Sequence, residues 1–94
     1  MAHPRRVLHV IPALHSGGVE RWVVDLCSLA PAHGMAMEIA VTTEMSGLCA
    51  TRARELAIPV HVCPGPGRPL AFMAAFRRLL RRHGPYEAVH VHLH

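Results

Sequence analysis

The stretch "RVLHVIPALHSGGVERWVVDL", residues 6–26, decides the fold. It opens as a continuous apolar run, breaks at Pro12, passes Ser16-Gly17-Gly18 and resumes with apolar residues at a different spacing. Arg6 to Ile11 reads as a buried strand, because a run of Val, Leu and Ile without polar alternation suits a sheet covered on both faces. From Val19 to Ala30 the period changes: Val19, Trp22, Val23, Leu26 and Leu29 or Ala30 recur at i, i+3, i+4 and i+7, the apolar stripe of a helix. Pro31 and His33-Gly34 stop it.

The alternation then continues along the chain. Met35 to Thr43, "MAMEIAVTT", is expected as a second strand, and Ser46-Gly47 as a turn. A short helix follows over Leu48 to Ala57, and then a third strand, "VHVC", over Val60 to Cys63. "PGPGRP", residues 64–69, is a rigid loop. Leu70 to His83 is a third helix, with Phe72, Met73, Phe76, Leu79 and Leu80 on one face and Arg77, Arg78, Arg81 and Arg82 on the other. Gly84-Pro85 ends it, and "AVHVHLH", Ala88 to His94, is a fourth strand.

Strand and helix therefore alternate as β-α-β-α-β-α-β, which predicts an α/β fold with a parallel sheet. Right-handed crossovers leave few topologies, and the simplest is a Rossmann-like half with strand order 3-2-1-4. Ligands in such sheets bind beyond the carboxyl ends of the strands, where the order reverses. Here that place lies between the first and fourth strands. The Ser16-Gly17-Gly18 loop and the end of "VHVHLH" both lead to it.

The totals narrow the function. Ninety-four residues make one small domain, and 51% hydrophobic content against 17% charged makes it globular. No apolar run approaches the roughly 20 residues that span a bilayer. "MAHPRRV" is followed by too short an apolar stretch for a secretory leader, so a cytoplasmic location is expected. Cys27, Cys49 and Cys63 are widely spaced and odd in number, which argues for core residues in a reducing compartment over a disulfide framework. The net charge is +4, but four of the ten arginines sit in "FRRLLRRHG" with few aromatics among them. That is no footprint for a nucleic acid.

Ser16, Gly17 and Gly18 are the first candidate site. A helix start gathers N–H groups without partners and partial positive charge, and a glycine lets a ligand approach the main chain. A phosphate or sugar hydroxyls would suit the place. With Gly17 as the cap, Glu20 falls where a capping box needs it. The loop is neither a GxGxxG fingerprint nor a P-loop, and a tight turn without a ligand is the alternative.

His90, His92 and His94 are the second candidate. Alternation along a strand points all three the same way. Two of them could surround one ion, but three successive same-face residues span ~13 Å, too far for one metal. No other Cys or His pair stands at ligand spacing, so no metal site is expected. The competing readings for His92 are a group lining a ligand cleft and a packed structural histidine, and His90, deeper in the strand, is expected in the core.

Four segments in register carry a family resemblance. "RVLHVIPALHSGGVER", the second strand ending in "VTT", "ELAIPVHVC" and "LLRRHGPYEAVHVHLH" together resemble the start of a family 4 glycosyltransferase of the two-domain GT-B architecture. The chain departs from that pattern at Ala36 and at Tyr86-Glu87. The resemblance covers essentially all 94 residues. It implies the N-terminal, acceptor-side segment of a retaining enzyme that moves a sugar from a nucleotide-sugar donor to a hydroxyl acceptor, with no further cofactor. Ser16, Gly17 and Gly18 would then contact the ligand through the backbone, His92 would face the reacting centre, and His15 and His94 would line the cleft. The family's donor-binding second domain has no counterpart here, so the chain is expected to be a partial N-terminal half without transferase activity of its own. Arg77, Arg78, Arg81 and Arg82 suggest either a solvated face or contact with an anionic membrane surface. A small non-catalytic Rossmann-like module holding a nucleotide or anionic metabolite is the rival reading.

Overall fold

The computed structural model describes residues 5–11, 18–42, 47–63 and 68–92. They form β1 (Arg5–Ile11), α1 (Gly18–Leu29), a 3₁₀ turn (Ala30–His33), β2 (Met35–Val41), α2 (Gly47–Glu55), β3 (Val60–Val62), α3 (Pro69–His83) and β4 (Ala88–Val91). The four strands make one parallel sheet in the order β3-β2-β1-β4. The expected α/β class, the Rossmann-like sheet and the 3-2-1-4 order are therefore all present.

The apolar sequence of the strands explains the layering. On one face, Ile11, Ile39 and Val41 pack against Val23, Val24 and Cys27 of α1 and Cys49, Ala50 and Ala53 of α2. On the other, Leu8, Val10, Ala40 and Cys63 meet Leu79 of α3, flanked by Phe72 and Phe76. Burying these side chains supplies the main driving force, on the order of 1.5–3 kcal/mol for each fully buried Val, Leu or Ile. Gly34 closes the 3₁₀ turn in the left-handed region at φ 73°, and its N–H bonds to Pro31. Glycine adopts that backbone at little cost. Gly84 is required for a different reason: its N–H caps α3 at Leu80, and a Cβ there would lie 2.3 Å from the Leu80 carbonyl oxygen.

Several expectations shift. The buried stripe of α1 is Val23, Val24 and Cys27, continued by Ala30 of the 3₁₀ turn, while Trp22 and Leu29 are more than half exposed. The helix is rotated so that its small and β-branched residues meet the sheet, because they allow a closer approach than an indole does. On α3, Met73 and Leu80 turn out to be exposed alongside Leu70, and Leu79 is the buried residue. β4 ends at Val91, before His92, and it is exposed throughout as the edge of the sheet. His90, expected in the core, is exposed for the same reason.

Candidate functional site

The β1–β4 pairing sets the geometry of the site. His9 of β1 stands directly opposite His90 of β4, and the N–H of His92 continues the ladder to the Val10 carbonyl at 2.9 Å. Parallel register places side chains of paired residues on the same face, and alternation puts His92 there too. Three imidazoles consequently converge on the α1 side of the sheet. Nδ1 of His9 lies 3.1 Å from Nε2 of His92. The ring centroids of His90 and His92 are 4.1 Å apart, and His9 lies 5.7 and 5.3 Å from them. Trp22, one turn into α1, meets His92 edge-on at 5.9 Å.

Burial is graded across the group: His9 is 2% exposed, His92 half-buried and His90 exposed. Burial, with the neighbouring His92 and His90 adding to it, pushes the His9 imidazolium down to about 4. Burial first, and then His90, lowers His92 in the same direction. Both rings are thus held neutral at physiological pH, as hydrogen-bonding and metal-binding groups and not as cations. The other nitrogen of His9, Nε2, faces the Met37 sulfur at 3.3 Å.

Of the two candidate sites singled out in the sequence, the structure describes Gly18, His90 and His92. His92 sits just past the end of β4, and Gly18 begins α1, where a Cβ would meet nothing within 4 Å. His15, Ser16, Gly17 and His94 lie outside the described residues. Arg77, Arg78, Arg81 and Arg82 are all exposed on α3. A cleft of about 610 Å³ lies elsewhere, between α1 and α2, lined by Arg21, Leu48, Cys49, Thr51, Arg52 and Glu55. It runs along α2 as far as its last residue, beside the first turn of α1, and does not include the histidines. Sequence reading missed His9, whose only signal is its register with His90.

A second polar cluster occupies the opposite face. Glu38 of β2 is 8% exposed and accepts hydrogen bonds from Arg6 at 2.7 Å, from His61 Nε2–H at 2.8 Å and from the Tyr86 hydroxyl at 2.7 Å. The Arg6 guanidinium also lies 4.7 Å from the Tyr86 ring centroid. Burial acts to raise the Glu38 carboxyl, but the three hydrogen bonds and the Arg6 charge outweigh it and leave it below its usual range. Tyr86 is held well above a free phenol by burial and by its bond to the carboxylate. With every oxygen engaged, this cluster is a clamp joining β1, β2, β3 and the residues that precede β4.

The fold and these sites define a class, a Rossmann-like α/β domain with a histidine-lined rim at its β1–β4 edge. Beyond that class, no family model, curated protein or solved structure matches the chain.

Proposed function

We propose that the chain is the N-terminal, acceptor-side segment of a GT-B glycosyltransferase of family 4, which transfers a sugar from a nucleotide-sugar donor to a hydroxyl acceptor. The observation that carries this reading is the contact between the start of α1 and the end of β4. Trp22, one turn after Gly18, touches His92. Gly18 and the candidate imidazole therefore flank one rim at the carboxyl ends of β1 and β4, where ligands of doubly wound sheets bind. The four sequence segments that resemble the family run in the same order along the chain.

In this reading a ligand approaches the backbone at Ser16, Gly17 and Gly18. The open space over Gly18 leaves room for it. Neutral His92 hydrogen-bonds a hydroxyl of the acceptor or sugar and steadies the charge that develops in transfer. His15 and His94 belong to the same reading as cleft residues and lie outside the described residues. The arginine face of α3 would rest on anionic lipid, with exposed Leu70, Met73 and Leu80 beside it. Such a chain works in the cytoplasm or peripherally at the inner membrane face. No described helix is long and apolar enough to cross a membrane.

The test is a nucleotide-diphosphate-sugar titration of the ¹⁵N-labelled chain, read alongside the reading frame downstream of His94. The proposal expects amide shifts concentrated at Gly18–Trp22 and His92, and a second Rossmann domain with paired glutamates downstream. Shifts confined to Arg21, Leu48 and Arg52 would favour the rival reading, a small module that holds an anion in the α1–α2 cleft. The two arginines in that cleft are what keep the rival in view.

A further inference from the structure

We propose that His9, His90 and His92 form a binding site for a single late first-row divalent cation of the zinc type. The three side chains each offer one ring nitrogen, and these nitrogens lie within 4.8 Å of one another. Tetrahedral zinc with Zn–N bonds near 2.0–2.1 Å places its ligand nitrogens about 3.3 Å apart. The His9–His92 pair, at 3.1 Å, already has one edge of that tetrahedron. His90 completes a face: its ring stacks on His92, and its exposure leaves the side chain free to rotate onto the ion.

The site depends on two strands. β4 and the residue that follows it offer only His90 and His92 among the described residues. The register of β1 supplies His9 from the side, which removes the distance objection. His9 can also take the tautomer that coordination requires. When Nδ1 coordinates, Nε2 must carry the proton, and Nε2 points at the Met37 sulfur, a weak acceptor. A histidine ligand whose second nitrogen donates to a fixed partner is the usual arrangement around bound metal.

The donor set selects the ion. Three imidazoles without a carboxylate suit zinc, copper, nickel or cobalt, and offer nothing to magnesium or calcium, which require oxygen. The ion would keep its full double charge and, on the side of exposed His90, an open coordination position. The inference stands apart from the transferase reading, since it needs neither a sugar nor the glycine loop.

The experiment is calorimetric titration of the metal-free 94-residue chain with zinc chloride, paralleled by the visible absorption of the cobalt-loaded chain. The expected result is one equivalent bound, with a tetrahedral cobalt spectrum. His90→Ala and His92→Ala should each weaken binding at least about tenfold. His33→Ala and His83→Ala, which remove histidines far from the group, should leave it unchanged. His9→Ala removes a buried ring and risks the fold, so exposed His90 is the decisive position. Well under one equivalent bound, or affinity untouched by both His90→Ala and His92→Ala, overturns the site. Nucleotide-sugar binding measured in chelator reports on the transferase reading separately, so either proposal can fail alone.

Discussion

Two polar clusters lie on opposite faces of one four-stranded sheet, and they are built on opposite principles. On the α3 face, Glu38 gathers a guanidinium, an imidazole N–H and a phenol, and each oxygen of the carboxylate is engaged. On the α1 face, His9, His90 and His92 gather like with like: three imidazoles, two of which burial, with the neighbouring rings adding to it, keeps neutral. Complementary groups close on themselves and hold structure together. Identical ones leave lone pairs pointing at a common space, which a ligand can occupy. The difference predicts that damage to the first cluster is paid in stability and damage to the second in binding.

The largest effect should come from Glu38→Gln. The amide keeps the shape but loses the charge that three donors were arranged around. Arg6 is about a third exposed, so water screens part of the loss, and a destabilisation of about 2 kcal/mol is expected. In a domain of this size that lowers Tm by about 10 °C, measurable by circular dichroism. The acid limb supplies the sign. The Glu38 carboxyl titrates below its unfolded value, so its stabilisation is complete above the ordinary carboxylate range and is lost as pH falls through the depressed folded value. Glu38→Gln cannot lose it, so the gap between parent and variant should narrow as pH drops. Buried His9, with a folded pKa near 4, costs both proteins stability below about pH 6.5 and cancels from their difference. A gap that stays constant into strong acid would mean that the carboxylate charge is not what the clamp uses.

Tyr86→Phe should do less. It removes one hydrogen bond of three and keeps the ring over Arg6, so about 1 kcal/mol is expected in urea unfolding. A cost equal to that of Glu38→Gln would show that Tyr86, and not the carboxylate, organises the clamp.

How much of this was legible follows from what a single sequence encodes. The alternation of strand and helix and the 3-2-1-4 order were readable because apolar period and turn residues are local. The helix faces were only partly so. Trp22, Met73 and Leu80 have the spacing of core residues, yet packing chose smaller neighbours on α1 and a different rotation of α3. Both clusters were invisible as clusters. Glu38 stands inside "MAMEIAVTT" as one acid in an apolar strand, and its three partners come from β1, β3 and the stretch before β4. His9 looked like a lone strand histidine. Only pairing register, a relation between distant segments, sets Leu8 beside Glu38 and His9 beside His90. His92 is singled out by the family resemblance, while topology alone points to the end of "VHVHLH" as the place where doubly wound sheets bind ligands.

The smallest stability effect, His90→Ala, tests the comparison most sharply. His90 is exposed on an edge strand, and its ring meets the imidazoles of His9 and His92. Truncating it removes no buried hydrogen bond and opens no cavity, so the change should stay within about 0.5 kcal/mol. Thermal unfolding of the metal-free variant should therefore overlay the parent within a few degrees. In zinc the parent alone should gain stability, because a ligand that binds only the native state raises its unfolding free energy by mass action. The expected signature is a pair of melting curves that coincide in chelator and separate in metal. Curves already apart in chelator would place His90 among the structural residues, and the two faces of the sheet would no longer differ in kind.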